Sequence, residues 1–172
     1  MGIDKTKHFV YLTLLSAMAI TLNIIESIYI GAFTFNIRIG LANIIALLTN
    51  KLLGWKETIV VNLMRVVIGN LLRGLIFGST FWISMGGVVL STIALILLDK
   101  MGSSLMFTSV ISSLCHSVGQ VLVVIVLYNQ PGVAALTLPY LLATSIPMGL
   151  LTGYTAKLVL DRIKPMQKKG YH

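Results

Sequence analysis

The chain has 172 residues, of which 56% are apolar and only 10% are charged, and its mean hydropathy is +0.93. A soluble domain needs about 25% charged residues to cover its surface, so this composition excludes a soluble protein and predicts a lipid-facing exterior. The net charge of +8 comes from basic residues between and after the apolar runs, an arrangement that excludes a nucleic-acid-binding stripe.

Six apolar runs predict an all-α integral membrane protein, a bundle of about six transmembrane helices forming a single domain over residues 1–172. The predicted spans are about 8–30, 39–53, 58–77, 81–98, 104–128 and 136–160. No run alternates polar and apolar residues as a membrane barrel requires. The second run is short and polar, which leaves open a partly re-entrant segment.

The first span has two opposite faces. Asn23 and Glu26 lie three residues apart near its C-terminal end, whereas Thr13, Ala17 and Thr21 form a stripe of small residues at four-residue spacing. Ala17 and Glu26 are nine residues apart, which is about 180° on a helical wheel. We therefore expect one face to look into a site and the other to contact a partner helix.

The connector after the first span and the next two spans contain further polar and charged residues. Arg38 lies in the connector before the second span, and Asn43 lies near the start of that span. Arg65 and Arg73 fall on one face of the third span. An arginine near the centre of a span costs at least about 2.5–3.5 kcal/mol on insertion scales, so it should face protein or a cavity.

On the fifth span His116 and Gln120 are four residues apart and share a face. Polar groups in five segments predict a substrate-binding cavity that opens to the outer surface. Its predicted lining is Asn23, Glu26, Arg38, Asn43, Arg65, Arg73, His116 and Gln120. The alternative is structural: these groups would hydrogen-bond between helices and bind nothing.

The basic residues predict the orientation. With the N-terminus inside, the opposite connectors hold only Arg38, whereas the cytoplasmic segments hold Lys5, Lys7, Lys51, Lys56, Lys100, Lys157, Arg162, Lys164, Lys168 and Lys169. This positive-inside bias predicts that both termini are cytoplasmic and that the membrane is the inner (cytoplasmic) membrane.

The acidic residues are too few and too dispersed for magnesium-dependent prenyl-diphosphate chemistry, which needs clustered aspartates. Asp4, Asp99, Asp161, Glu26 and Glu57 lie in different segments. The three histidines are scattered, and no Gly-rich phosphate loop is present. The sequence therefore predicts a protein that is not an enzyme, uses no metal or cofactor, and cannot hydrolyse ATP by itself.

Three motifs resemble the Gx transporter family, which is also catalogued as heptaprenyl diphosphate synthase component I. They are NIRIGLAN at residues 36–43, RVVIGNLLRG at 65–74 and HSVGQ at 116–120. The family is similar to the substrate-binding S components of energy-coupling-factor vitamin transporters. Those are six-helix proteins that bind a micronutrient from outside and dock on a transmembrane coupling protein and two ATPases.

The resemblance implies an S component for a small micronutrient or a prenyl/quinone-type precursor. It also implies that Thr13, Ala17 and Thr21 form the docking face for the coupling protein. The alternative that stays open is a non-catalytic membrane subunit, associated either with polyprenyl diphosphate synthesis or with a membrane redox assembly.

Overall fold

The computed structural model describes residues 2–30 and 40–169, which contain six α-helices and no strand. The helices are α1 Gly2–Ile25, α2 Leu41–Leu52, α3 Trp55–Leu72, α4 Ser79–Lys100, α5 Leu105–Tyr128 and α6 Pro131–Lys169. A π-helical turn, Glu26–Ile30, continues α1. The all-α membrane bundle predicted from the sequence is confirmed.

Within the described ranges, four segments are long and apolar enough to cross a membrane: Lys5–Ile28, Ser79–Lys100, Leu105–Tyr128 and Ala135–Ile163. The other two helices differ from these. Helix α2 has 12 residues, fewer than the roughly 20 that cross the hydrocarbon core. Helix α3 has 18 residues and contains Lys56, Glu57 and Arg65. Both α2 and α3 bury polar side chains against other helices, so protein neighbours replace the lipid that would penalise them.

The third helix ends five residues before the predicted end of the third span. Gly74 has a left-handed backbone with φ of 68°, and the Leu75 amide donates to the Asn70 carbonyl at 2.9 Å. This geometry closes the C-terminus of a helix by satisfying carbonyls that have no intrahelical partner. Residues 73–78 therefore form a turn, and Arg73 lies at the end of α3 instead of within a span.

Helices α4, α5 and α6 pack closely because glycines lie at their crossings. A Cβ atom on Gly119 of α5 would clash with the Gly86 carbonyl of α4 and would lie 3.0 Å from the Cα of Gly87. A Cβ atom on Gly149 of α6 would lie 2.7 Å from the Cα of Val110. The backbones approach to a distance that a larger residue would not allow.

The apolar core fills the half of the bundle that contains the α2–α3 and α4–α5 turns. Its buried residues come from α1, α2, α3, α4 and α6, and they are Ala19, Ile45, Ala46, Leu47, Leu48, Val61, Leu95, Ala156 and Leu160. A second, smaller apolar cluster, Val66, Phe81 and Val88, lies toward the opposite half of the bundle, near the ends of α1, α3 and α5.

Candidate functional site

A cavity of about 570 Å³ lies in that opposite half and receives side chains from all six helices. Its volume falls in the range of small-molecule sites, about 300–1,000 Å³. Six of the eight predicted site residues line it, namely Asn23, Glu26, Asn43, Arg65, His116 and Gln120. Arg38 lies outside the described residues, and Arg73 is not part of the lining.

Glu26 joins the end of α1 to the start of α2. It lies in the π-helical turn and is 3% exposed, and its carboxylate accepts a hydrogen bond from the backbone amide of Gly40. Gly40 precedes α2 and has a left-handed backbone with φ of 78°. Amides at a helix N-terminus have no intrahelical acceptor, and a carboxylate there is favourable. Glu26 therefore anchors the first turn of α2.

Arg65 holds the same turn of α2 from the other side. It is 2% exposed, and its Nη2 donates to the side-chain oxygen of Asn43 at 2.9 Å. The backbone amide of Asn43 donates to the Gly40 carbonyl at 2.8 Å. A hydrogen bond from a charged donor is stronger than a neutral one, so this contact fixes the guanidinium within the cavity wall.

The Asn23 side chain reaches the cavity past Gly69 of α3, which has no side chain to block it. A Cβ atom on Gly69 would lie 3.0 Å from the Asn23 side-chain oxygen. Gly69 is one turn beyond Arg65 along α3, so Asn23 lies against the same helix face as the arginine. The glycine makes room for a hydrogen-bonding side chain at the cavity wall.

Arg73 contacts the site through another residue. Its Nε donates to the Gly69 carbonyl at 3.0 Å and its Nη2 donates to the side-chain oxygen of Asn70 at 2.8 Å. Asn70 lines the cavity and is 1% exposed, and its own amide donates to the Val66 carbonyl at 2.7 Å. Arg73 therefore orients a lining side chain, and Asn70 is a site residue that sequence reasoning missed.

His116 and Gln120 lie on α5 against a glycine of α4. A Cβ atom on Gly87 would lie 2.8 Å from Gln120 Cγ and 2.9 Å from His116 Cε1. The His116 Nδ1 is 3.5 Å from the Ser91 hydroxyl. Gly87 thus leaves the space into which the two cavity side chains extend.

Helix α6 supplies a wall that sequence reasoning did not find. Its lining residues recur at spacings of one, three and four, and they are Thr137, Tyr140, Leu141, Thr144, Ser145 and Met148. The Ser145 hydroxyl lies 2.6 Å from the hydroxyl of Ser117 on α5, which also lines the cavity. The sequence feature that could have predicted this wall is the helical spacing of Thr137, Thr144 and Ser145 within the sixth apolar run.

The acidic side chains described by the structure lie apart from one another. Asp99 pairs with Lys51, and the Glu57 carboxylate is 3.3 Å from His8 Nε2, whereas Glu26 lies at the cavity. Within residues 2–30 and 40–169, no group of three His, Cys, Asp or Glu side chains is arranged to hold a metal ion.

The small-residue stripe of α1 lies on the outside of the bundle. Thr13, Ala17 and Thr21 are all exposed. The two threonine hydroxyls donate to the carbonyls of Phe9 and Ala17, each at 2.9 Å, so their polar atoms are satisfied within the helix. The stripe therefore presents a small surface on which another helix could pack closely.

The fold and the cavity define a multi-pass membrane protein with a polar, ligand-sized site in one half of a helical bundle. The family model described as heptaprenyl diphosphate synthase component I matches residues 15–159, a range that includes every lining residue. The chain belongs to this family, which confirms the family resemblance seen in the sequence. Neither a curated protein nor a solved structure matches the chain.

Proposed function

We propose that the protein is the substrate-binding (S) component of an energy-coupling-factor-type importer for a small micronutrient or a prenyl/quinone-type precursor. The observation that carries the proposal is the 570 Å³ cavity with a buried arginine, Arg65, in its wall. A capture subunit must replace the water around its ligand with fixed hydrogen-bonding groups, and this cavity has them on all six helices.

The chemistry of the lining supports capture of an amphipathic molecule. Arg65, Asn43 and Gln120 supply hydrogen bonds, whereas apolar residues such as Val88 and Met148 supply a surface for an uncharged body. Small-molecule sites combine a mostly apolar lining with a few polar groups that fix the orientation of the ligand.

The exposed stripe on α1 supports a separate docking face. Ala17 is about 180° from Glu26 around the helix, so one face of α1 meets the cavity while the other is open to a partner. The partner we propose is a transmembrane coupling protein, which would transmit the work of two ATPase subunits. The sequence has no phosphate-binding loop of its own.

The orientation proposed here places both termini and the apolar half of the bundle toward the cytoplasm, in the inner membrane. The cavity then faces the outer surface, from which a nutrient would enter. The basic bias of the connectors supports this orientation.

Membership of the heptaprenyl diphosphate synthase component I family favours a second candidate, a non-catalytic membrane subunit associated with polyprenyl diphosphate synthesis. A membrane redox assembly is a further host for such a subunit. In either case the cavity would hold a lipid-like precursor without importing it. The separation of Glu26, Glu57 and Asp99 argues for a non-catalytic role.

The test is Ala17→Leu, with Ala143→Leu as the control, because Ala143 is an exposed alanine on α6 outside the cavity lining. The ligand is first identified as the small molecule that native mass spectrometry finds retained by the purified protein. Ala17→Leu should abolish uptake of that molecule in cells that contain a coupling module and leave its binding to the isolated protein unchanged. Normal uptake by Ala17→Leu would exclude docking through the stripe, and loss of binding would mean that the stripe supports the cavity.

A further inference from the structure

The two walls of the cavity differ in charge. The wall formed by the end of α1, by α2 and by α3, called here the charged wall, contains Asn23, Glu26, Asn43, Arg65 and Asn70. The wall formed by α4, α5 and α6, called here the uncharged wall, has no lysine, arginine, aspartate or glutamate among the lining residues that the structure describes. Its polar groups are hydroxyls together with His116 and Gln120, and its apolar residues include Ile83, Val88, Val121, Val124, Leu141 and Met148.

The charged wall presents a pure acceptor beside a pure donor. The Glu26 carboxylate and the Arg65 guanidinium are fixed to the same turn of α2, at Gly40 and at Asn43, three residues apart. An ionised carboxylate only accepts hydrogen bonds and a guanidinium only donates them. A ligand head that hydrogen-bonds to both of these side chains must itself carry a donor and an acceptor.

The formal charge of the cavity limits the charge of its ligand. Among the described lining residues, Arg65 is the single arginine or lysine, and Glu26 opposes it with a carboxylate. Arg38, which the sequence predicts for the lining, lies outside the described residues, and adding its charge would bring the sum only to +1. A diphosphate head would bring two or three negative charges, and a charge that the surrounding protein leaves uncompensated is costly to take out of water.

We propose that the cavity takes an amphipathic ligand of net charge zero or −1 whose head carries both a donor and an acceptor. An amide, a lactam-type heterocycle or a protonated or ionised carboxyl group bearing a neighbouring donor fits this chemistry. The head lies against the charged wall, and the body lies against the apolar residues of the uncharged wall. Prenyl diphosphates fall outside this ligand class. The inference rests on the proposed function and narrows its prenyl/quinone-type precursors to those without a diphosphate.

The inference is tested with three probes that share one C10 body and differ in the head: geranamide, geranic acid and geranyl diphosphate. Each probe is titrated into the full chain in nanodiscs of uncharged lipid, and its dissociation constant is measured at fixed ionic strength. The amide, whose head carries both a donor and an acceptor, should bind at least about tenfold more tightly than the diphosphate, because like-charge contact with Glu26 opposes the latter. The ionised acid has acceptors alone and a single charge, so its affinity should lie between those of the other two probes. Equal or tighter binding of the diphosphate overturns the inference, and so does failure of the amide to bind.

Glu26→Gln assigns the selectivity to one residue. A glutamine oxygen can still accept the hydrogen bond from the Gly40 amide, so the local contact is kept while the charge is removed. The ratio of the dissociation constant of the diphosphate to that of the acid should fall by about tenfold. Glu57→Gln is the control, because Glu57 pairs with His8 away from the cavity, and it should leave the ratio unchanged. An unchanged ratio in Glu26→Gln overturns the assignment.

These measurements are independent of import. The probe series uses the isolated protein, so the charge selectivity holds or fails whether or not a coupling module is present. Conversely, if cells take up a dianionic molecule and Ala17→Leu abolishes that uptake, the proposed function is supported and this inference alone is contradicted.

Discussion

The Arg65 guanidinium on α3 donates a hydrogen bond of 2.9 Å to the side-chain oxygen of Asn43 in the first turn of α2. Because α2 has only 12 residues, its position depends on contacts with neighbouring helices. Glu26 holds the same turn through the Gly40 amide. The two charged residues of the cavity wall therefore also fix the start of α2, so binding and the placement of this helix are linked.

The first prediction is that Arg65→Gln weakens ligand binding by roughly 2–5 kcal/mol, the range for truncating a buried hydrogen-bonded charge. Arg65→Lys should restore little of it, because an ammonium is a point charge and cannot reproduce a planar fork of donors. Dissociation constants and melting temperatures are measured together on the retained ligand. If Arg65→Gln melts earlier but the folded fraction binds with parental affinity, Arg65 is structural and not a ligand contact.

The second prediction concerns Arg73, which touches the lining residue Asn70 at 2.8 Å and does not itself line the cavity. Arg73→Gln should weaken binding less than Arg65→Gln, because it removes one hydrogen bond to the Asn70 side-chain oxygen and takes no charge from the wall. A double-mutant cycle of Arg73→Gln and Asn70→Ala should give a coupling energy of about 0.5–3 kcal/mol in affinity. Strict additivity of the two substitutions would rule out action through Asn70.

The sequence predicted the six helices because each lies in an apolar run, although only four segments of the described residues are long and apolar enough to cross a membrane. It also predicted much of the charged wall, since Glu26 and Arg65 are costly in lipid and therefore mark a buried site. It could not predict that Arg65 bonds to Asn43, because the partner of a side chain depends on how the helices are arranged in space.

Two failures have specific physical causes. The helical wheel placed Arg73 on the Arg65 face, but Arg73 is the last residue before the turn that ends α3, and its guanidinium folds back onto the Gly69 carbonyl and the Asn70 side chain instead of lining the cavity. The wall of α6 gave a weak signal because a hydroxyl residue satisfies itself within a helix. Thr144, for example, donates to the Leu141 carbonyl at 3.0 Å and so adds little cost to an apolar run.

The third prediction separates two glycines at the α4–α5 crossing. Gly87→Ala would place its methyl group against the side chains of His116 and Gln120, which can move, so it should weaken ligand binding more than it lowers stability. Gly119→Ala would meet the backbone of α4, which cannot yield locally, so it should destabilise the fold by about 1–3 kcal/mol. Melting temperature and affinity are measured for both.

The control for this pair is Gly132→Ala, because a Cβ atom there has no heavy atom outside its own helix turn within 4 Å. It should melt and bind like the parent. If Gly119→Ala is as stable as the control, the close approach of α4 and α5 is not required for the fold.

The last prediction tests the orientation on which the outward-facing cavity depends. The turn at Ser103 and the N-terminal Gly2 belong to the end of the bundle that holds most basic residues, whereas Gly132 follows α5 at the cavity end. Single cysteines are placed at these three positions in a Cys115→Ser background and treated in intact cells with a membrane-impermeant maleimide. The positive-inside bias requires labelling at position 132 and protection at positions 2 and 103. Permeabilised cells should label all three, which shows that each thiol is reactive. Labelling of position 103 in intact cells would show that the topology is the inverse of the one proposed. The cavity would then face the cytoplasm, and uptake from outside would be excluded as its role.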